Sequence, residues 1–377
     1  MLEPIYVSEA RKIVSRYRVK PKVIRVKPRE AIGKVLAEPV IAPFDYPMFH
    51  RSALDGIAVN SEESRRLILD RREKISTGMP LPPRADAVVP KENYRIVGDK
   101  AIIDRPVHKR ENVDPKGSDF REGDVLLEAG SVIKPNQVSA LALVEEVAIA
   151  TIEFTLIVIG SEIRPFGKIP DIDGPQVRGL VELYGGRISK IIRVPDRLED
   201  IEKALLEAEG PIITTGGTSV GDRDLVPKAI EKLGELLVHG IKAKPCKPFT
   251  FSIVEGKPVF SLPGPPVACF IAADVFVGPR IRLNLGLEPR RLREKRKNVL
   301  GMQIPSKPDR RDFVRVKLEG DKLYPIGSGA GRIVTLYPAD GYLEVPEDLE
   351  GIEEGELVER YDFSTIKRRK IRFLLLP

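Results

Sequence analysis

Residues 211–227, reading PIITTGGTSVGDRDLVP, constrain what this chain can fold into more than any other stretch. The apolar run Pro211-Ile212-Ile213 passes through Thr214-Thr215 into Gly216-Gly217, as a buried parallel strand does on meeting a tight turn. Thr218, Ser219, Gly221, Asp222 and Asp224 follow. From Leu225 to Leu237 apolar residues recur at helical spacing, with Pro227 near the start, where a helix tolerates proline. Strand, glycine-rich loop and helix in that order belong to the carboxyl end of an α/β sheet, where ligands bind. Glycines let backbone N–H groups approach an anion, and a helix N-terminus favours negative charge. An ordinary βα turn with capping aspartates is spelled the same way, and this stretch alone leaves the two readings level.

The alternation continues on both sides. From Thr151 the chain reads as a strand (TLIVIG), a helix over 176–184, a strand (ISKIIRV), a helix over 198–208, the stretch above, then ELLVHG, FTFSIV and PVFSLPG. A long apolar helix follows over 266–285. This predicts a three-layer, doubly wound parallel α/β domain over 151–288. Upstream, spacing predicts helices over 8–17 and 28–36, and a strand end plus helix over 132–147. Between them, short β-prone runs separated by turns predict a small β domain over 44–131, inserted into a linker domain of 1–43 and 132–150. Residues 289–377 alternate as a C-terminal β domain.

Composition narrows the function. The 377 residues are 42% hydrophobic and 31% charged, as in globular domains, and no apolar window is long enough to span a bilayer. Residues 1–20 show neither the apolar core nor the cleavage site of a signal peptide. Cys246 and Cys269 are too few for a disulfide framework or zinc site, which suits the cytoplasm. The net charge of +7 invites a nucleic-acid reading, but acidic residues are interspersed with the basic ones and aromatics are sparse at 6%. Neither nucleic acid nor membrane is an expected partner. Abundant Lys, Arg and Glu resemble a hyperthermophile's usage.

Several stretches then stand in order: FDYPMFHRSALDGIAV at 44–59, TGMPLPPRADAVVPKE at 77–92, ENVDPKGSDFREGDVLLEAG at 111–130, TTGGTSVGDRD at 214–224, KPCKPFTFS at 244–252, LPGPPVACF at 262–270, and a GSG turn at 327–329. Their order and spacing resemble the MoeA/gephyrin E-domain family of molybdopterin molybdenumtransferases over nearly the whole chain, as a divergent archaeal or hyperthermophilic member. The resemblance implies four-domain subunits in a homodimer, with a molybdopterin adenylyltransferase as functional partner. It implies insertion of molybdate or tungstate into adenylylated molybdopterin, with Mg²⁺ assisting and AMP released. A paralogue that binds or carries the pterin without turnover is the alternative.

Read residue by residue, the resemblance implies catalytic roles for Asp55, Thr77, Glu92 and Asp119. It implies pterin or phosphate contacts for Thr215, Gly216, Gly217, Ser219, Gly221, Lys244, Lys247, Pro263 and Gly264, and metal ligation by Asp171, Asp222 and Asp224. The chemistry is consistent: Mg²⁺ takes one or two carboxylates plus water and phosphate oxygens, and lysines act as point charges on an anion. Turn capping by Asp55, helix capping by Asp222 or Asp224 and solvated surface lysines are the competing readings. Lys242 and Lys244 would share a face of an extended chain. The chain departs from the family pattern at ligand-facing loops: Cys246 replaces a glycine, Pro265 an asparagine, Asp114 an arginine and Ser118 a glutamate, while Ser161 alters the first α/β loop. Cys246 is expected to be a packing residue, and His50 an exposed loop histidine.

Overall fold

The structure, a computed structural model, describes residues 3–70, 73–217, 224–327 and 329–363. It divides into two compact units, Arg25–Ile149, and Met1–Ile24 with Ala150–Pro377.

In the larger unit helix α1 (Val7–Arg16) precedes a six-stranded sheet. Its elements are β1 (Glu153–Ile159), α2 (Asp173–Leu183), β2 (Arg187–Val194), α3 (Leu198–Glu207), β3 (Ile212–Thr215), α4 (Leu225–Leu233), β4 (Gly234–His239), β5 (Thr250–Val254) and β6 (Lys257–Leu262). The sheet order is β2-β1-β3-β6-β5-β4. β2, β1, β3 and β6 run parallel, and the near-continuous burial of β1, β3 and β6 matches their apolar runs, while β2, at the sheet edge, is largely exposed. On one face Ile201, Ala204 and Leu205 of α3 and Val226, Ala229 and Ile230 of α4 pack on Ile157, Ile159 and Ile212. The doubly wound α/β expectation holds, with two differences. β5 and β4 are antiparallel, and α4 stops at Leu233 instead of running to Leu237. Gly234 explains the second: a Cβ there would lie 2.0 Å from the Ile253 carbonyl oxygen, so only glycine admits the β5 backbone. Once paired, the residues after Gly234 run as strand, with a register shift between Leu236 and Val238.

After β6 come α5 (Pro266–Ala272), a π-helical turn (Ala273–Val277) and α6 (Gly278–Asn284), where the sequence reads as one helix. The last described strands are β7 (Lys295–Leu300), β8 (Arg311–Glu319), β9 (Lys322–Pro325), β10 (Gly341–Val345) and β11 (Leu357–Asp362). Pairing runs β8-β9-β7-β11-β10 and returns from β10 to β8, closing the sheet on itself around Leu300, Val316, Leu323, Leu343 and Val358. The short strand Ala243–Lys244 adds to the edge of β8 at Arg311–Asp312.

The smaller unit is built of short strands. Gly56–Val59 is central to one sheet, between Glu73–Ile75 and Ala87–Pro90, and alternation sends Ile57 and Val59 to one core and Ala58 to another. The chain then returns to its start: Ile133 and Gly33–Lys34 exchange hydrogen bonds, and Leu36 donates to Ser131. The helices expected over 28–36 and 132–147 are shorter. Only Pro28–Glu30 and Pro135–Gln137 form 3₁₀ turns, with Val138–Leu141 helical, because Val35–Leu36 and Val147–Thr151 are used as strands.

Candidate functional site

In the larger unit, the chain leaves β1 for β2 on one side and continues to β3 on the other. The carboxyl ends of β1 and β3 therefore flank a topological switch point, where α/β sheets open a crevice. The glycines of the opening stretch sit there. Gly216 has φ +79°, and a Cβ on it would lie 2.1 Å from the Ile159 carbonyl oxygen at the end of β1. Gly217 has φ +67°, and its Cβ would meet Val226 Cγ2 at 2.7 Å. A Cβ on Gly264, after β6, would stand 3.6 Å from the Gly216 Cα, so the two glycine backbones are neighbours. Thr215, at the end of β3, is 2% exposed, and its hydroxyl is buried with no partner. Thr218, Ser219, Gly221 and Asp222 lie outside the described residues.

Three carboxylates belong to the loops that follow these strands. Asp171 Oδ1 accepts the Gly174 N–H at 2.8 Å ahead of α2, and its Oδ2 is 3.8 Å from Arg193 Nη2. Asp173 has a buried, unpartnered Oδ1. Burial, with Asp171 adding its charge, pushes its carboxyl pKa up to about 7. Asp224 precedes α4 but makes no capping hydrogen bond with its side chain. Its Oδ2 lies 3.5 Å from His239 Nε2 at the end of β4, and its Oδ1 is buried without a partner. Burial raises the Asp224 carboxyl above its ordinary range, while His239 pulls it back. Among the described residues no group of three or more His, Cys, Asp or Glu side chains converges.

A second feature of the same unit is a groove of about 1020 Å³ between the 241–247 segment and the C-terminal sheet. Lys244 and Lys247, both exposed, line it together with Lys242, Arg310 and Arg315. Lys242 is committed elsewhere: its ammonium is 2.9 Å from both Asp309 oxygens and 4.4 Å from the centre of the Tyr6 ring. Arg310 is tied to Asp312 at 2.8 and 3.0 Å. Arg315 is 4% exposed, and its Nη2 donates to the carbonyls of Gly327 and Gly329 at 2.8 and 3.4 Å. Its Nε is buried without a partner, and burial lowers its pKa. Lys244, Lys247 and Arg315 thus face the groove without a carboxylate partner among the described residues. At the start of α5 the Val267 N–H donates to the carbonyl of Ala330, a residue that lines the groove, at 2.9 Å. This helix start therefore offers few free donors: Pro265 and Pro266 have no N–H, and the Val267 N–H is taken.

In the smaller unit, three of the quoted stretches lie side by side. Arg51–Ser52 pairs with Val113–Asp114, and Ser52 also exchanges hydrogen bonds with Gly78 and Met79. Asp55 is exposed, and its Oδ1 accepts the Thr77 N–H at 2.9 Å and the Thr77 hydroxyl at 3.1 Å. The two donors hold its carboxyl below the usual range. The Lys91 N–H donates to the Asp55 carbonyl at 3.2 Å, which sets the exposed Glu92 beside this turn. Asp119 is exposed next to the stacked Tyr46 and Phe120 rings. His50 is exposed, and its Nδ1 accepts the Lys116 N–H at 3.0 Å.

The departures from the family pattern have local accounts. Cys246 is fully buried, its thiol pointing at the Ala268 carbonyl 3.6 Å away and its pKa raised by burial, so it packs and is no nucleophile. Asp114 pairs with Arg51 at 3.1 Å. Ser161 and Asp196 exchange two hydrogen bonds, at 2.7 and 2.9 Å, linking the ends of β1 and β2. Sequence reasoning missed His239, Arg310 and Arg315, which stand in strands or turns with no motif of their own.

Comparison with known proteins agrees with this geometry. Residues 5–144 match the model of the MoeA N-terminal region (domain I and II), and residues 297–363 that of the MoeA C-terminal region (domain IV). Residues 155–283 match the model described as "Probable molybdopterin binding domain". A Methanocaldococcus jannaschii protein named for molybdopterin biosynthesis is 34% identical, the match covering 90% of this chain and 92% of that one. A molybdopterin molybdenumtransferase of Staphylococcus aureus is 31% identical over 74% of this chain and 75% of its own. The crystal structure of a Pyrococcus horikosii MoeA protein superposes with a TM-score of 0.75 at 29% identity, covering 96% of this chain and all of that one.

Proposed function

The chain belongs to the MoeA family of molybdopterin biosynthesis proteins, and from that premise we propose that it is a molybdopterin molybdenumtransferase. It takes adenylylated molybdopterin and molybdate or tungstate, and releases AMP as the oxyanion is transferred to the pterin dithiolene. The observation that supports it is the pair of features in the larger unit, glycine backbones packed closely at the switch point, with unpartnered carboxylate oxygens in the loops there, and a groove with unmatched cations. An adenylylated pterin presents a pyrophosphate to the first, and a tetrahedral oxyanion suits the second.

The residues divide the work. The Gly216, Gly217 and Gly264 backbones leave room for phosphate oxygens to approach, and Pro263 shapes the turn after β6. Lys244 and Lys247 offset anionic charge, and Arg315, held by two carbonyls, presents a fixed donor. The oxygens left unpartnered on Asp173 and Asp224 each suit a Mg²⁺ ion that takes its remaining ligands from water and phosphate oxygens, with Asp171 two residues before Asp173 and Asp222 two before Asp224 in the sequence. Bound there, Mg²⁺ would draw charge from the pyrophosphate as the bond to AMP breaks. His239 keeps the Asp224 carboxylate turned.

The subunit acts in the cytoplasm as a homodimer, supplied by a molybdopterin adenylyltransferase, with domains at 1–43 and 132–150, 44–131, 151–288 and 289–377. Asp55, Thr77, Glu92 and Asp119 of one subunit complete the site of the other. The loss of donors at Pro265 and Val267 favours the alternative, a paralogue that holds the pterin without turnover. The experiment is AMP release from adenylylated molybdopterin with Mg²⁺, with molybdate, with tungstate and with neither. Oxyanion-dependent AMP release supports the transferase. Tight pterin binding with no AMP under any condition selects the carrier.

A further inference from the structure

A second cavity of the larger unit, of about 640 Å³, shares no lining residue with the groove. It lies against α1, α6 and residues 289–295, and cations dominate its wall. Most of them are matched. Arg291 is paired with Glu344, Arg293 Nε is 3.0 Å from Asp274, Lys295 is 2.9 Å from Glu359, and Arg290 is 3.6 Å from Glu288.

Arg280 is the exception. It is 3% exposed and no carboxylate pairs with it among the described residues. Its Nη1 donates to the Ser15 carbonyl at 2.9 Å, and its Nη2 is buried with no partner at all. Burial, with Arg18 adding a like charge, lowers its pKa to about 10. Arg11, also on the lining, has its Nη2 buried without a hydrogen bond and 3.9 Å from a Glu344 carboxylate oxygen. One turn on from Arg280, Asn284 accepts the Val19 N–H at 3.2 Å while its Nδ2 is buried and unpartnered. Arg18 reaches the same end of α6, donating to the Leu283 carbonyl at 3.2 Å.

A buried guanidinium without a counter-charge is costly, and unmatched donors in a buried site are high-stakes. The unmatched groups on the lining residues Arg280 and Arg11 are both donors, which excludes a cation and calls for an acceptor with several oxygens. We propose that this cavity is a second anion site, separate from the crevice and groove, that binds phosphate, either free or as the phosphate group of a small molecule, through Arg280 and Arg11. The geometry suits that class: guanidinium groups recognise phosphate oxygens well, and the volume is that of a small-molecule site rather than a bare-ion hole.

The test titrates the full-length protein with inorganic phosphate and, separately, with ribose 5-phosphate. Arg280→Met keeps the apolar stem and removes the unmatched charge, so it should fold with a Tm at or above wild type. It should weaken binding at this site by about tenfold or more, while Lys244→Met, which alters only the groove, leaves it within about twofold. Phosphate should raise the Tm of Lys244→Met, whose groove is weakened, and should no longer do so when Arg280→Met is added to it. Tighter binding of ribose 5-phosphate assigns an organic phosphate, and tighter binding of phosphate the free ion. No saturable binding of either, or binding that Arg280→Met leaves unchanged, overturns the proposal. Should the variant not fold, anomalous scattering from selenate in wild-type crystals decides: a peak within hydrogen-bond distance of Arg280 Nη2 supports the site, and no peak there overturns it.

Discussion

Asp274 is fully buried in the π-helical turn between α5 and α6, and it joins the α/β sheet to the C-terminal barrel. Its Oδ1 accepts the Tyr184 hydroxyl at 2.8 Å, and its Oδ2 the Tyr342 hydroxyl at 2.6 Å. Arg293 Nε lies 3.1 and 3.0 Å from the two oxygens. Asp274→Ala would leave the Arg293 guanidinium, 6% exposed, without its carboxylate and two buried phenols without their acceptor. Breaking a buried ion pair costs about 3–5 kcal/mol, and each stranded phenol adds about 1 kcal/mol. The expected loss is about 5–7 kcal/mol, a large part of the ~5–15 kcal/mol that stabilises a domain. Arg293→Met added to Asp274→Ala should restore part of this, because it removes the unpaired charge. Guanidinium unfolding followed by circular dichroism measures both, with hydrogen exchange at Gly341–Val345 reporting the barrel. A loss below ~1 kcal/mol for Asp274→Ala, or a double variant less stable than the single, would refute the reasoning.

Three further outcomes follow from the crevice. Gly217→Val should destabilise the fold by about 2 kcal/mol or more, since its Cβ would meet Val226 at 2.7 Å with φ +67°, so it cannot report binding alone. Gly264→Ala meets only ordinary contact at 3.6 Å; unfolding should show stability within ~0.5 kcal/mol of wild type and calorimetry weaker pterin-nucleotide binding. Asp173 has a folded pKa near 7, above its unfolded value, so its contribution is intact below about pH 4 and is lost as pH rises through about 7. Asp173→Asn should remove that fall, measured as the difference in urea midpoint between acid and neutral pH in EDTA.

The buried parallel strands and the glycine turn were legible in the sequence because each is a local pattern: an apolar run, then residues that alone tolerate the backbone. Gly216 against Ile159 is the clearest case. Helix ends were less legible, because pairing decided them: Glu235–Leu237 have helical spacing, yet the β5 backbone takes them as strand once Gly234 lets it approach. The lysines of IKAKPCKP were visible as charges, but their roles were not. Lys242 is neutralised by Asp309, 67 residues away, and Lys244 is not. Arg315 and His239 left no signal, since a lone arginine in a strand or a histidine at a strand end gains meaning only from what folding sets beside it. The departures at Asp114 and Ser161 have partners that the sequence does not reveal, Arg51 and Asp196.

In the function proposed above, the nucleotide occupies the crevice and the oxyanion the cationic groove. That assignment is tested most directly by steady-state AMP release from Lys244→Met, with adenylylated molybdopterin and molybdate varied in turn. The account predicts a KM for molybdate raised about tenfold or more, with the KM for the pterin nucleotide within about twofold of wild type. A variant whose nucleotide KM rises while its molybdate KM does not would contradict it.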